Sequence, residues 1–194
     1  ELYSGASVPY KYKGANQTSI NTGDDYDFDT VGNWTASGGS IASTGGELVI
    51  TGNGSSATVN VVKTLSGLTI GKSYRYSVDV KRGTSSNTGG HIQVYDAGGS
   101  GIDVSVAFSS TGGLTTSMQT YGVDFIASAT SLSLYIAKST ADSATYIADN
   151  ATVIPIGAVA EYDGSGATGA TWYDKSGNNL DGTVAGATLE NRTT

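Results

Sequence analysis

Ser73-Tyr74-Arg75-Tyr76-Ser77-Val78-Asp79-Val80-Lys81 is the stretch that decides the fold class of this chain. Its aromatic and aliphatic side chains, Tyr74, Tyr76, Val78 and Val80, occupy every second position, with polar or charged residues between them. Because side chains alternate between the two faces of a β-strand, this pattern predicts a strand with one face in a core and the other in solvent.

The same period of two recurs from residue 47 to residue 154, and no stretch of a dozen residues has a helical period. Glycine-rich turns such as Gly52-Asn53-Gly54 and Gly112-Gly113 separate the segments. Short strands at this spacing predict an all-β fold, a jelly-roll β-sandwich of two antiparallel sheets. The other predicted strands cover residues 57–63, 91–95, 102–108, 121–126, 132–136 and 146–154.

The predicted sandwich occupies residues 23–155 and has short N- and C-terminal appendages. Residues 1–22 show little periodicity, and we interpret them as a linker or packing arm. Residues 156–194 are dense in Gly, Asp and Asn and provide only hairpins. Such a segment is too small to bury a core alone, so it must pack on the sandwich or on another chain.

Composition excludes several classes of function. The chain has 10 Lys and Arg against 17 Asp and Glu, a formal net charge of −7, and this acidity disfavours nucleic-acid binding. No run approaches the roughly 18 apolar residues of a membrane-spanning helix, so we expect no membrane insertion. The absence of cysteine excludes disulfides and thiolate metal sites. The first residues show neither a charged leader nor an apolar signal core, so we expect an excerpt of a longer protein.

Catalysis has few candidate residues. His91 is the only histidine, and no serine lies in a nucleophile-elbow context, so a Ser-His-Asp triad lacks its parts. A two-carboxylate glycosidase stays formally open, but the acidic residues fall mostly in glycine-rich turns. We therefore expect a domain that is not an enzyme.

Three stretches within residues 24–154 resemble carbohydrate-binding modules of the family 4, 9, 16 and 22 type. Asp27-Phe28-Asp29-Thr30, followed by Trp34, resembles the first strand of these modules. Residues 46–50, 59–68 and 71–80 resemble their second block, in which a Gly-Lys turn leads into a long strand. Tyr146 through Val153, with Asp149-Asn150, is similar to their closing strand. The resemblance implies a calcium-supported jelly roll that binds a surface polysaccharide or other glycan.

The flanks resemble a different group, bacteriophage tail-fibre and other virion proteins. The similar segments are residues 8–15 at one end and residues 156–164 and 172–178 at the other. The resemblance implies a virion structural protein with other virion proteins as partners, a homotrimeric state and a location on the virion; the alternative is a secreted bacterial protein. The last segment also resembles the first strands of a laminin-G-like sandwich.

Asp27, Asp29 and Asp149 are the predicted calcium ligands. Ca²⁺ takes roughly six to eight oxygen ligands, which strand-end carboxylates and backbone carbonyls supply. The resemblance implies an ion that joins the first strand of the module to the last. The alternative is that these are ordinary turn carboxylates.

Six polar-face residues are candidate glycan contacts. Sugar recognition needs flat aromatic faces against the C–H groups of the sugar, with planar polar groups beside them for its hydroxyls. If the strands involved are neighbours, these residues would form one platform; the alternative is plain cross-strand pairing on a solvated sheet. Trp34 is expected to be a core residue rather than a contact. The candidates are Arg75, Asp79, His91, Gln93, Tyr95 and Tyr135.

Together these patterns predict a non-catalytic glycan-binding domain for host-surface recognition on a phage tail fibre or virion protein. Two alternatives stay open. One is a purely structural spacer or decoration module of a fibre or capsid. The other is an accessory binding module of a polysaccharide-degrading enzyme.

Overall fold

The computed structural model describes residues 18–96, 103–139, 141–156, 168, 170–174 and 180–185. Helical structure in these ranges is confined to α1 (Asp24–Asp27) and a 3-10 turn (Phe108–Thr111), neither long enough to cross a membrane. The strands are β1 (Thr35–Ser37), β2 (Gly39–Thr44), β3 (Glu47–Gly52), β4 (Val59–Ser66), β5 (Ser73–Arg82), β6 (Gly90–Tyr95), β7 (Asp103–Ala107), β8 (Gln119–Ile126), β9 (Ser131–Lys138), β10 (Thr145–Pro155), β11 (Thr171–Trp172) and β12 (Gly182–Thr183).

Two five-stranded sheets form a β-sandwich. Sheet A has the strand order β1-β4-β9-β6-β7, and sheet B has the order β2-β3-β10-β5-β8. All neighbouring strands in both sheets are antiparallel. The chain passes repeatedly from one sheet to the other between β3 and β10, which is the connectivity of a jelly roll. The predicted fold class is therefore confirmed. Within the described residues, strands β11 and β12 pair only with each other.

Alternation along each strand fills the space between the sheets. Tyr76, Val78 and Val80 of β5 are fully buried, and Leu134 and Ile136 of β9 face them from sheet A with almost no exposure. Each such side chain contributes about 1.5–3 kcal/mol relative to an exposed position. This interior is the main source of stability in a chain without disulfides.

Buried tyrosines join the two sheets through hydroxyl hydrogen bonds as well as ring packing. Tyr76 of β5 donates to the backbone carbonyl of Tyr135 in sheet A at 3.4 Å. Tyr146 of β10 donates to the carbonyl of Gly89 at 2.6 Å, and burial raises the pKa of its hydroxyl to about 12. Both hydroxyls therefore stay protonated and act as donors inside the core.

Each strand predicted from the period of two is present. Strand β3 lies inside the region with that period but was not predicted as a separate strand, and β1 and β2 precede the region. Strands β1 and β2 lie at sheet edges and are rich in Gly, Ser and Thr, with no fully buried residue. Without apolar residues at alternate positions, they carry no signal of the kind that identified β5. The predicted strand of residues 102–108 is shorter in the structure, because Phe108 begins the 3-10 turn.

The segment Asp27-Phe28-Asp29-Thr30, which the resemblance implied to be a strand, is not one. Helix α1 ends at Asp27, and Phe28 takes a left-handed conformation with φ of 53°. This turn directs the Phe28 ring into the core, where it packs against Trp34 with a centroid distance of 5.8 Å. Trp34 is buried, as predicted.

Residues 18–22 fall in the predicted arm, and in the structure they lie against β10. The backbone N–H of Ile20 donates to the carbonyl of Val153 at 2.8 Å. Asn21 is buried, and its amide group donates to the carbonyl of Ala151. The rest of the arm, residues 1–17, lies outside the described residues, as do residues 157–167 after the predicted boundary at 155/156.

A buried lysine holds the loop before β10. The Lys138 side chain is fully buried, and its Nζ contacts Asp142 Oδ1 and lies 5.5 Å from the ring centre of Tyr146. A Cβ on Gly52 would lie 1.8 Å from the Asp142 carbonyl oxygen and 3.0 Å from Lys138 Nζ, so only glycine fits there. Although burial acts to raise it, hydrogen bonds from Lys138, Ala144 and Ser85 hold the pKa of Asp142 below its ordinary value.

Asp142→Asn should lower the free energy of unfolding at pH 7 by about 3 kcal/mol, because it removes the carboxylate charge that pairs with the buried Lys138 cation. A lowered folded-state pKa means that the pair stabilises above the ordinary aspartate pKa and that this stabilisation is lost as the pH falls through the folded-state value. Urea unfolding at pH 7 and pH 3 measures both effects. The difference between the wild-type and variant free energies should be smaller at pH 3 than at pH 7.

Asp124→Asn is the matched control, since Asp124 pairs with Arg75 where both side chains are half exposed. Its cost should stay under about 1 kcal/mol. Equal costs for the two variants would contradict the role assigned to the buried pair.

Candidate functional site

The outer face of sheet A brings four of the predicted contacts together. His91, Gln93 and Tyr95 alternate along β6, and Tyr135 lies on β9 directly opposite Gln93. The rings of Tyr95 and Tyr135 meet edge to face, with centroids 6.3 Å apart and planes at 79°. Tyr95 is 39% exposed. We call Gln93, Tyr95 and Tyr135 the tyrosine platform.

A carboxylate that was not among the predicted contacts completes the polar part of this surface. Gln93 Nε2 donates a hydrogen bond to Asp103 Oδ1 on β7. Asp103 also lies directly opposite Tyr95 across the β6–β7 ladder. An amide and a carboxylate are thus held beside an exposed ring. Only the strand pairing reveals this, because the spacing of Asp103 in the sequence does not distinguish it from other acidic residues near turns.

Small side chains surround the tyrosine platform. Ser105 lies opposite Gln93, Ser133 lies opposite Tyr95, and Val62 of β4 lies opposite Tyr135. His91 is flanked by Ala107 and Ala137 in the same register. Among the described residues of sheet A, the cross-strand neighbours of the two rings are therefore short side chains.

The outward-facing positions of the sheet A strands carry no lysine or arginine. Lys63 and Lys138, the two lysines in these strands, occupy inward positions and are buried. Asp103 is the only carboxylate among the outward positions of β1, β4, β9, β6 and β7. The platform is thus close to neutral, although the chain as a whole is acidic.

Arg75 and Asp79 lie on the other side of the sandwich, on the outer face of β5 in sheet B. Arg75 forms a two-pronged ion pair with Asp124, with N–O distances of 2.6 and 2.8 Å. Asp79 accepts hydrogen bonds from Asn150 and Thr120. The six candidates would form one platform only if their strands were neighbours. They are not, because β5 belongs to a different sheet from β6 and β9.

Carboxylates gather on the outer face of sheet B around Asp149. Asp149 pairs with Asp79 across the β10–β5 ladder, beside a β-bulge at which Asn150 has a left-handed φ of 52°. Burial, followed by the charges of Asp79, Glu47 and Asp27, raises the pKa of Asp149. Lys81, paired with Glu47 at 2.6 Å, supplies one positive charge nearby.

The predicted calcium ligands do not form a cage of three carboxylates. In the described part of the chain, no three His, Asp or Glu side chains lie close enough to hold a metal ion together. Asp27 Oδ1 instead accepts a hydrogen bond from the backbone N–H of Asp29 at 3.3 Å. Calcium binding through Asp27, Asp29 and Asp149 stays a prediction.

That prediction has a direct test in thermal unfolding. Millimolar CaCl₂ should raise the Tm relative to EDTA, because an ion bound only by the folded state stabilises it by mass action. Asp149→Asn should abolish the calcium-dependent shift while preserving an acceptor for the backbone N–H of Asn150. Asp124→Asn, on the same face, should retain the shift. Identical melting curves in CaCl₂ and EDTA would contradict the predicted calcium site.

No protein-family model matches the chain, and no curated protein matches it in sequence. Solved structures with a similar fold include a xylan-binding domain, CBM22-1, from Paenibacillus barcinonensis, with a TM-score of 0.51, 21% identity, and coverage of 73% of this chain and 93% of that chain. A family 61 carbohydrate-binding module in complex with β-1,4-galactotriose has a TM-score of 0.51 and 12% identity, covering 73% of this chain and all (100%) of the module.

A phage protein also shares the fold. The enzymatically active domain of bacteriophage CBA120 tailspike protein 4 has a TM-score of 0.52 and 13% identity, over 70% of this chain but only 21% of that chain. At these identities the similarities establish the shared jelly-roll sandwich, which is the fold of several carbohydrate-binding modules.

Proposed function

We propose that this chain is a non-catalytic glycan-binding domain whose binding face is the tyrosine platform. The observation that carries the proposal is the Tyr95–Tyr135 ring pair on one outer face, with Tyr95 exposed and Tyr135 half-buried, beside the hydrogen-bonded Gln93 and Asp103. Tyrosine rings provide apolar surface for sugar C–H groups, and the amide and carboxylate offer a donor and acceptors for hydroxyls.

The shape of the surface favours an extended saccharide. Small residues on both sides of the rings leave room for a chain that crosses β4, β9 and β6. Such a shallow contact gives modest affinity at a single site. Display of several linked copies would raise the avidity without any new contact.

The fold similarities support the same proposal. The xylan-binding domain and the galactotriose complex show that this sandwich architecture serves saccharide binding in other proteins. We propose glycan binding here on that basis together with the platform. The sugar itself is to be identified by the glycan-array experiment below.

We further propose that the domain is part of a phage tail fibre or another virion protein and contacts host-surface glycan there. The resemblance of the flanking segments and the fold shared with a tailspike domain support this location. Most of those flanking segments lie outside the described residues. A fibre location implies homotrimers and neighbouring virion proteins as partners.

Tyr95→Ala and Tyr135→Ala should each weaken glycan binding at least about tenfold, since truncating a central aromatic contact typically costs more than 1 kcal/mol. Affinity electrophoresis in gels containing candidate neutral polysaccharides provides the measurement, after a glycan array has selected the ligand. Circular dichroism confirms that each variant is folded.

Two controls make this result specific to the platform. Tyr173→Ala removes an exposed tyrosine of the C-terminal segment, and Arg75→Ala removes a residue of the opposite sheet. Both should bind like the wild type. Binding that survives both platform substitutions, or that is lost with Arg75→Ala, would overturn the assignment of the site.

The oligomeric state tests the fibre proposal separately. Sedimentation equilibrium should give a mass three times the 19.6 kDa of one chain. A monomer would contradict trimerisation through this chain alone. A trimer without glycan binding would favour a structural spacer.

A further inference from the structure

Asn21, Asp25 and Lys63 form a buried cluster away from the tyrosine platform, on the inner side of β4. Their relative exposures are 1%, 9% and 8%. Lys63 Nζ lies 2.5 Å from Asn21 Oδ1 and contacts Asp25 Oδ2. The cluster thus places an amine, a carboxamide and a carboxylate in mutual contact within the protein interior.

This combination has a specific reactivity. A neutral amine is a nucleophile, a carboxamide carbon is an electrophile, and a carboxylate can carry protons between them. We propose that Lys63 and Asn21 react to form an intramolecular amide (isopeptide) bond, with Asp25 as the catalytic proton carrier.

The surroundings hold the reacting groups in place. Asn21 Nδ2 donates to the carbonyls of Asp25 and Ala151 at 2.7 and 2.5 Å, which fixes the plane of the carboxamide. Asn33 holds both carboxylate oxygens of Asp25: its backbone N–H donates to Oδ1 at 2.6 Å, and its Nδ2 donates at 2.9 Å to Oδ2, which also contacts Lys63 Nζ.

Position makes the attack effectively unimolecular. Asn21 Cγ is one C=O bond, about 1.2 Å, from the oxygen that Lys63 Nζ already contacts. Nζ is therefore close to the separation of about 3–3.5 Å from which attack begins, and fixed reactants gain large effective molarities. Trp34 is nearly fully buried, and its indole N–H donates a hydrogen bond to the backbone carbonyl of Asp25 at 3.0 Å.

The reaction balances without any other reactant. Lys63 passes one proton to Asp25 Oδ2, and the neutral Nζ attacks Asn21 Cγ to form the new C–N bond. The neutral Asp25 gives its proton to the leaving Nδ2 and, as a carboxylate again, accepts the second proton lost by Nζ. The Cγ–Nδ2 bond breaks, ammonia departs, and Asn21 Oδ1 is again a carbonyl oxygen.

Before the bond forms, Lys63 and Asp25 are a buried ion pair. Although burial acts to raise it, hydrogen bonds from Lys63 and Asn33 hold the pKa of Asp25 below its ordinary value. Because attack needs a neutral amine, a proton must first move from Lys63 Nζ to Asp25 Oδ2, and we expect the yield of the bond to increase during incubation.

The bond would close a loop between positions 42 residues apart. It would join the segment packed on β10 of sheet B to β4 of sheet A. A cross-link of this kind restricts the denatured chain, as a disulfide does in other proteins. It would give a chain that lacks cysteine a covalent tie between its two sheets.

Intact mass spectrometry of the wild-type chain under denaturing conditions tests the proposal after prolonged incubation at neutral pH. The expected mass is lower than that of the sequence by one ammonia molecule. No Lys or Arg lies between Lys13 and Lys63, so a blocked cleavage after Lys63 should give one tryptic peptide of residues 14–72 that is lighter than its sequence by one ammonia molecule. A second digestion after Glu47 should leave the peptide containing Asn21 and the peptide containing Lys63 joined. An unchanged mass overturns the proposal, as does a loss of one water molecule with Lys63 joined to Asp25.

Variants separate this bond from another source of the same mass change. A succinimide at Asn53-Gly54 also releases ammonia, but that loss would persist in Lys63→Arg, whereas the isopeptide bond would not. Asp25→Ala should retain the full sequence mass although both bonding residues are present. Lys81→Arg, which alters a partly exposed lysine, should still lose ammonia. Loss of ammonia from Lys63→Arg, without joined peptides in the wild type, counts against the bond.

Discussion

Face-to-face burial of the two sheets is the constraint on which the rest of the structure depends. With a period of two, each residue that enters the core forces its neighbours outward, so the interior also determines the surface. Val94 is fully buried, and Gln93 and Tyr95 on either side of it consequently face solvent. A one-residue slip in the register of β6 would bury the Gln93 amide and expose Val94. Such a slip is strongly unfavourable because it removes apolar side chains from the core. The platform is thus held in register by residues that never touch a ligand.

The sequence predicts on which face of a strand a side chain lies, but it does not predict which strands are neighbours in a sheet. The spacing of His91, Gln93 and Tyr95 is enough to place them on one polar face, and the structure agrees. Whether Tyr135 or Arg75 lies beside them depends on strand order, which long connections between sheets determine. Tyr135 is adjacent through the β6–β9 pairing, whereas Arg75 is on the opposite sheet. Asp103 was missed for the same reason, since only its cross-strand partners distinguish it.

Lysines at core positions of a strand indicate that an ion-pair partner must be buried with them. Hydrophobic periodicity alone does not use this information. Lys63 continues the inward series of Val59 and Val61, and Lys138 continues that of Ile136. A buried charge is costly unless it is paired, so each such position implies a partner brought from elsewhere in the chain. The partners are Asp25 and Asp142, which lie outside the strands. These lysines thereby attach the N-terminal segment and the loop before β10 to the sandwich.

The outer faces of the two sheets differ in the number of charged side chains that they carry. This difference affects which face is the more favourable one for binding a ligand. Sheet B carries ion pairs between Arg75 and Asp124 and between Lys81 and Glu47, together with the carboxylates around Asp149. A partner that covered this face would have to desolvate charged groups without replacing all of their contacts, which is unfavourable. Sheet A presents two tyrosine rings, an amide, one carboxylate and small side chains. Covering that face removes water mainly from apolar and neutral polar surface, so an uncharged partner gains contact there at the lower cost in desolvation.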